Sequence, residues 1–238
     1  MKEIFDNFKN NKVLIIGDIM LDTYLIGNVD RISPEAPVPV VDINEQIDKL
    51  GGASNVALNI KGLGATPLIC STFGGDQKAW ELKVAIKKCD METKYLHSSS
   101  NRKTTNKIRV IGNNTQLLRV DNESKNDLNK DELDMMIRNI TIALAENDIN
   151  AILIQDYNKG VVTPDLLEFI TKINKKRNIP VFADPKVKNF EFYKNIKIFK
   201  PNFNELRKGL NLEVSMDKFE DIEKPVEKYM RKQNVDTF

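Results

Sequence analysis

Cysteine, histidine and tryptophan are almost missing from this chain of 238 residues, which has two, one and one of them. Cys70 and Cys89 have no cysteine or histidine at ligand spacing, so both read as reduced thiols and not as a disulfide or a metal site. His97, in the polar stretch His97-Ser-Ser-Ser-Asn-Arg, leaves almost no material for a histidine-based triad or a zinc site. An excess of one charge sign is missing too: the formal net charge is +2 and the basic residues are spread along the chain, so nothing argues for nucleic acid or an anionic membrane as partner. No apolar run approaches a membrane span, and the first dozen residues lack the basic head and apolar middle of a secretory leader. A cytoplasmic protein is expected. Solenoid repeats and low-complexity tracts are also lacking. What is present, 41% hydrophobic and 29% charged residues, suffices for one α/β domain with a real core over residues 1–238.

The chain is organised around Val13-Leu-Ile-Ile-Gly-Asp-Ile-Met-Leu-Asp22. An unbroken apolar run over residues 13–16 is the mark of a strand buried on both faces, as in a parallel sheet flanked by helices. Ligands of such sheets gather at the carboxyl ends of the strands. Asp18 and Asp22 arrive there. As ionised acids they offer only acceptors, which suits the hydroxyls of a polar ligand; the plain alternative is a turn cap and a solvated acid.

Residues 1–12 space Ile4, Phe5 and Phe8 as a short amphipathic helix. Ser33-Pro-Glu-Ala-Pro-Val-Pro39 forbids a helix and disfavours a central strand, so residues 23–45 read as an extended excursion with edge strands, a candidate lid. Residues 51–64 read as a helix entered through Gly51 and Gly52, with Val56, Ile60 and Leu63 as its buried face. Glycines at a helix start let a ligand approach backbone N–H groups, or they serve only a tight strand-to-helix turn. Asn55, in the first turn, favours the former. Residues 65–73 form a strand and 79–89 a helix with Trp80 as core anchor. Residues 104–121 form a hairpin about a three-residue turn at Gly112-Asn-Asn114. Lys107 and Arg109 share one of its faces, suited to a phosphorylated ligand or, equally, to a solvated edge strand.

The second half alternates more plainly. Helices are expected over 130–147, 163–177 and 216–232. Strands are expected over 151–154, 180–183 and 196–199, delivering Gln155-Asp-Tyr-Asn-Lys-Gly160, Asp184-Pro-Lys186 and Lys200-Pro-Asn-Phe-Asn-Glu205 to one rim. Residues 234–238 look like the approach to a strand that is not completed, as though the chain stopped within a unit.

Taken together, Gly17-Asp-Ile-Met-Leu-Asp22, Arg31-Ile-Ser-Pro-Glu-Ala-Pro-Val-Pro-Val40, Gly51-Gly-Ala-Ser-Asn-Val-Ala57, Lys107-Ile-Arg-Val, Asp156-Tyr-Asn-Lys-Gly160, Asp184-Pro-Lys186 and Pro201-Asn-Phe-Asn-Glu205 resemble, in order, the ribokinase-like (PfkB) carbohydrate kinases. The run from Arg31 points to the branch that phosphorylates D-glycero-D-manno-heptose 7-phosphate to the 1,7-bisphosphate, toward ADP-heptose and lipopolysaccharide core. The resemblance implies a three-layer α/β sandwich with a small β lid, here residues 23–45 and 104–121, through which a homodimer often forms. It implies that Asp18, Asp22, Gly51, Gly52, Asn55, Lys107, Arg109 and Asp156 face the sugar phosphate. Lys159, Asp184, Lys186, Asn202, Phe203, Asn204 and Glu205 would line the ATP side, with Glu205 helping to position Mg²⁺.

The family's Gly-Ala-Gly-Asp motif, whose backbone N–H groups hold the developing anion and whose Asp is the base, does not occur among these residues. The base is therefore expected beyond Phe238, and these 238 residues alone are expected to be inactive. A non-catalytic remnant that still binds or senses a sugar phosphate is the alternative. A nicotinamide-dependent oxidoreductase fails, because its glycine fingerprint should follow the first strand directly.

Overall fold

The computed structural model describes residues 6–213 and 220–238. Of the helix expected over 1–12, residues 1–5 lie outside the described residues and 6–8 are helical. In chain order the strands are β1 (Lys12–Gly17), β2 (Ile19–Ile32), β3 (Pro39–Gly52), β4 (Thr66–Gly74), β5 (Leu96–Ser99), β6 (Asn106–Gly112), β7 (Thr115–Asn122), β8 (Ala151–Gln155), β9 (Val181–Asp184), β10 (Ile196–Phe199) and β11 (Val235–Thr237). The helices are α1 (Ala53–Gly62), α2 (Gln77–Lys88), α3 (Lys130–Glu146), α4 (Pro164–Arg177), α5 (Phe203–Gly209) and α6 (Glu220–Gln233).

Seven strands form a parallel sheet in the order β11-β10-β9-β8-β1-β4-β5. Alternation along β1 explains its unbroken apolar run. Leu14 and Ile16 enter one core with Met136, Ile140, Leu166 and Ile170 of α3 and α4. Ile15 enters the other, with Ala53 and Ala57 of α1 and Leu82 and Ile86 of α2. Side chains on successive strand residues point to opposite faces, so a strand between two helical layers is apolar throughout. The result is the expected three-layer sandwich.

A second sheet, β3-β2-β6-β7, grows straight out of the first. Only Asp18 separates β1 from β2, and β3 runs back through Gly51 and Gly52 into α1. Both arms therefore extend further toward the main sheet than residues 23–45, the proline run occupying only the tip. The β6–β7 turn is also tighter than expected: Gly112 pairs with Thr115, leaving Asn113 and Asn114, both left-handed at φ 50° and 64°, as a two-residue loop of the type that matches strand twist.

Other expectations are corrected. Trp80 is 61% exposed, because α2 buries Ala79, Leu82 and Ile86 and turns Trp80 away from that stripe. In α1 the buried residues are Ala53, Ser54 and Ala57, with Val56 and Ile60 half-buried; Leu63 falls past the helix end and is exposed. His97 lies on edge strand β5, not in a loop. The last segment does complete a strand, since β11 pairs with β10 at Ile196–Val235 and Ile198–Thr237. There Phe238 closes an aromatic cluster, its ring 5.4 Å from Phe199 and 5.7 Å from Tyr229. The helix expected over 216–232 is seen as α6; residues 216–219 lie outside the described residues. Cys70 is buried, which pushes its thiol pKa far up, and Cys89 is half-buried; both are free.

Candidate active site

The chain turns away from β1 in opposite directions, toward β4 on one side and β8–β11 on the other, so the carboxyl ends of β1 and β8 flank the crevice where open α/β sheets bind ligands. The backbones meet closely there. A Cβ on Gly17 would lie 1.9 Å from the carbonyl oxygen of Gln155, so only glycine lets β1 end beside β8.

Asp18 is 1% exposed. Its Oδ2 accepts the N–H groups of Tyr157 (2.7 Å) and Lys159 (3.1 Å), and its Oδ1 accepts that of Val161 (3.1 Å). Desolvation, with the nearby Asp156 charge second, lifts its pKa to about 6 against the pull of those three donors. The carboxylate thus shapes the turn 157–161 from behind, where a direct contact to sugar was expected of it. Asp156 is likewise fully buried, accepting from the N–H of Asn158 (2.6 Å), the Tyr193 hydroxyl (2.9 Å) and the Asn189 amide (3.3 Å). Burial raises its pKa as well. The two acids presumed to meet substrate therefore form the frame that holds Lys159 on the rim.

The pair nearer solvent is Asp22 and Arg109, whose guanidinium lies 2.6 Å from Asp22 Oδ1 and 5.2 Å over the Tyr24 ring. The glycine pair makes room for this acid: a Cβ on Gly51 would stand 2.5 Å from Asp22 Oδ2, and one on Gly52, at φ +58°, 2.3 Å from the Asp18 carbonyl oxygen. That oxygen already takes the first N–H of α1, from Ala53 at 2.8 Å. The glycines serve the strand-to-helix turn and the placing of Asp22. Asn55, exposed in the first turn of α1, lines with Asp22, Tyr24, Lys49 and Leu50 a concavity of about 470 Å³.

Along the rim, Gln155 donates to Asp184 at 2.9 Å, and Lys200 lies 3.4 Å from the same acid. Lys186, 5.7 Å over the Tyr157 ring, forms an ion pair with Glu205. Asn202 and Glu205 cap α5 reciprocally, each side chain accepting the other's backbone N–H, at 2.9 and 2.8 Å. Phe203 is half-buried and Asn204 exposed at the start of that helix. Among the described residues no group of three or more histidine, cysteine or acidic side chains is placed to hold a metal. The Glu205 carboxylate is engaged on both oxygens, by Lys186 and by the N–H of Asn202.

Sequence reasoning missed Arg102, Thr72 and Glu123. Buried Arg102 donates to the carbonyls of Asn126 and Lys159 and lies 3.6 Å from Glu132. With Asp18, Lys103, Thr105 and Lys159 it surrounds a cavity the size of a single water, which Thr72 also lines. The hydroxyl of Thr72 is buried without a hydrogen-bond partner. No spacing or local pattern singles these residues out.

A family model described as pfkB family carbohydrate kinase matches residues 10–235. The chain is 39% identical to the bifunctional protein HldE of Aliarcobacter butzleri over 206 residues, 87% of this chain and 43% of that protein. To HldE of Trichlorobacter lovleyi it is 38% identical over 205 residues, 86% of this chain and 41% of that one. It thus spans less than half the length of these curated relatives. The fold matches the tetrameric inhibited form of phosphofructokinase-2 from Escherichia coli with a TM-score of 0.71 at 18% identity, covering 94% of this chain and 71% of that one. It also matches Arabidopsis thaliana ribokinase complexed with ribose and ATP, with a TM-score of 0.61 at 17% identity over 94% and 69% of the two chains. On the family match along nearly its whole length, and on the three-layer fold it shares with these sugar kinases, this chain belongs to the pfkB family of carbohydrate kinases.

Proposed function

We propose that this chain is the kinase region of an enzyme that uses ATP to phosphorylate D-glycero-D-manno-heptose 7-phosphate, on the way to ADP-heptose. The observation that carries this reading is the division of the rim. Asp22, Arg109 and Lys107 stand at one end, beside the second sheet, and Lys186, Glu205 and Asn202 at the other, beyond β9 and β10. An acceptor for sugar hydroxyls and cations for a phosphate thus stand apart from a cationic, helix-capped end suited to a nucleotide's phosphates. The likeness to the HldE proteins supports the choice of heptose.

Phosphoryl transfer is chiefly positioning and charge neutralisation. In this reading Asp22 accepts from sugar hydroxyls, Arg109 and Lys107 neutralise the sugar's own phosphate, and Asp18 and Asp156 hold the turn that carries Lys159. Lys186 and Lys200 neutralise nucleotide phosphates, and Glu205 orients the hydrated Mg²⁺ that would accompany ATP. No residue here is assigned as the base.

The reading extends to a cytoplasmic dimer joined through the second sheet, which exposes Ile32, Ile43, Leu118 and Val120. Among the described residues no helix is long and apolar enough to cross a membrane. Calorimetry tests the substrate: tighter binding of heptose 7-phosphate than of fructose 6-phosphate or ribose is expected. Equal or reversed preference overturns the heptose assignment.

A further inference from the structure

Two lysines from separate sheets meet at one carboxylate oxygen. Lys159, on the turn after β8, places its Nζ 2.7 Å from Oε2 of Glu123, and Lys107 of β6 lies 3.7 Å from the same atom. Lys125 stands 3.1 Å from Oε1. The side chains of Glu123, Lys107 and Lys159 are only 8%, 16% and 14% exposed. One negative charge therefore sits among three ammonium groups, two of them largely removed from water. Asp121 pairs with Lys107 at 3.2 Å and with Arg119 at 2.9 Å, so four cations share the two carboxylates of Glu123 and Asp121. Charges so enclosed interact more strongly than on the surface, and the lysines repel one another unless an anion stands between them. The lysines hold the Glu123 carboxyl below its usual pKa, so it is that anion at neutral pH.

A carboxylate is not the best occupant of such a place. A phosphomonoester brings about 1.5–2 negative charges and three acceptor oxygens, against one charge and two oxygens. Lys159 also lines the water-sized cavity shared by Asp18, Arg102 and Lys103.

We propose that Glu123 is a built-in competitor for an anion site made by Lys107 and Lys159. A phosphate group binds by taking over both lysines and releasing the carboxylate, and neutral ligands, which cannot displace it, are discriminated against. Glu123 is then a specificity-determining residue that joins the second sheet to the rim. That the selected ligand is a sugar phosphate rests on the kinase reading; the anion site itself does not.

The test is a calorimetric titration of the 238-residue chain with inorganic phosphate. Glu123→Gln is expected to bind phosphate about tenfold tighter than the unaltered protein, the worth of one charge-assisted contact no longer to be displaced. Lys159→Met is expected to bind it at least about tenfold more weakly. Glu168→Gln, which removes only an exposed pair with Lys172, is expected to leave affinity unchanged. If Glu123→Gln does not fold, by its circular dichroism, Glu123→Asp withdraws the carboxylate by one methylene and is expected to tighten binding in the same direction. Phosphate bound no tighter by the Glu123 variants, or bound by neither protein, overturns the inference. If phosphate binding tightens as expected but fructose 6-phosphate and heptose 7-phosphate bind no better than inorganic phosphate, the anion site stands and the kinase reading fails.

Discussion

Arg109 of β6 reaches back across the second sheet to Asp22 of β2, its guanidinium 2.6 Å from the carboxylate, although the residue directly opposite Arg109 on β2 is Tyr24. The diagonal reach lays the guanidinium over the Tyr24 ring and keeps the Asp22 carboxylate at the edge of the crevice. Each side chain keeps about one-fifth of its surface in water, enough for either charge to be solvated if its partner is removed, so the pair contributes only about 1 kcal/mol. In the proposed function its role is to hold an acceptor at the sugar end. Asp22→Ala is expected to weaken sugar-phosphate binding by at least about tenfold, the loss of a charged hydrogen-bond acceptor, with a melting temperature shifted by no more than a few degrees. Unchanged affinity, measured calorimetrically, removes Asp22 from the site.

Asp18 gives a pH signature whose sign follows from its burial. Its pKa in the folded protein, about 6, lies above the ordinary value of 3.8, so the ionised form is the costly one. The contribution of Asp18 to stability is therefore full below about pH 4, declines as pH rises through 6, and stays low above, a total change of about 3 kcal/mol. The advantage of the unaltered protein over Asp18→Asn in urea unfolding is expected to be larger at pH 4 than at pH 7. The opposite trend contradicts the burial account. At pH 7 the same variant is expected to speed hydrogen exchange at the amides of Tyr157, Lys159 and Val161, because an amide oxygen cannot replace both carboxylate oxygens.

Tyr193→Phe removes the shorter of the two side-chain donors to Asp156 Oδ2, leaving Asn189 at 3.3 Å. A buried acceptor so deprived costs about 1–3 kcal/mol. The urea midpoint is expected to fall accordingly, and the turn carrying Lys159 to lose protection with it.

Phe199 is fully buried with its ring 5.0 Å from Phe190, 5.2 Å from Tyr193 and 5.4 Å from both Tyr229 and Phe238. Phe199→Ala is expected to cost about 3–5 kcal/mol, the usual range for emptying a large core site. A smaller loss would mean that β10 and β11 are held mainly by backbone pairing.

β1, β8 and β9 were legible because they carry unbroken apolar runs ending in Gly-Asp, Gln-Asp and Asp-Pro, whereas β10, with Lys197 and Ile198 exposed, was legible from the helix–strand alternation and its Lys-Pro end. The proline run marked the excursion but hid its extent. The strands on either side carry mixed polar residues, and only their mutual pairing shows that they run from Ile19 to Gly52. Trp80 and Leu63 were misplaced because size was taken for burial: α1 buries Ala53, Ser54 and Ala57 and ends before Leu63, and α2 buries Ala79, Leu82 and Ile86 on a face that excludes Trp80. Val235–Thr237 is too short to announce itself without β10 beside it. At the site, topology brings the residues named from sequence to the carboxyl ends of β1, β8, β9 and β10, but sequence cannot tell an acid left at the crevice edge from one that holds the backbone behind it. Asp18 and Asp22 differ in that way only through three N–H groups some 140 positions further along the chain. Glu123 gave no signal, since the lysines that define it are 16 and 36 residues away.

Everything rests on one rim serving sugar phosphate at one end and nucleotide at the other. Backbone amide NMR of the 238-residue chain tests this most directly, with heptose 7-phosphate and then ATP and Mg²⁺ titrated in. Heptose 7-phosphate is expected to move the resonances of Asp22, Gly51, Asn55, Lys107, Arg109 and Lys159. ATP with Mg²⁺ is expected to move those of Asp184, Lys186 and residues 202–205. Shifts confined to the opposite, amino-terminal ends of the strands, or absent for both ligands at saturating concentration, would contradict the account.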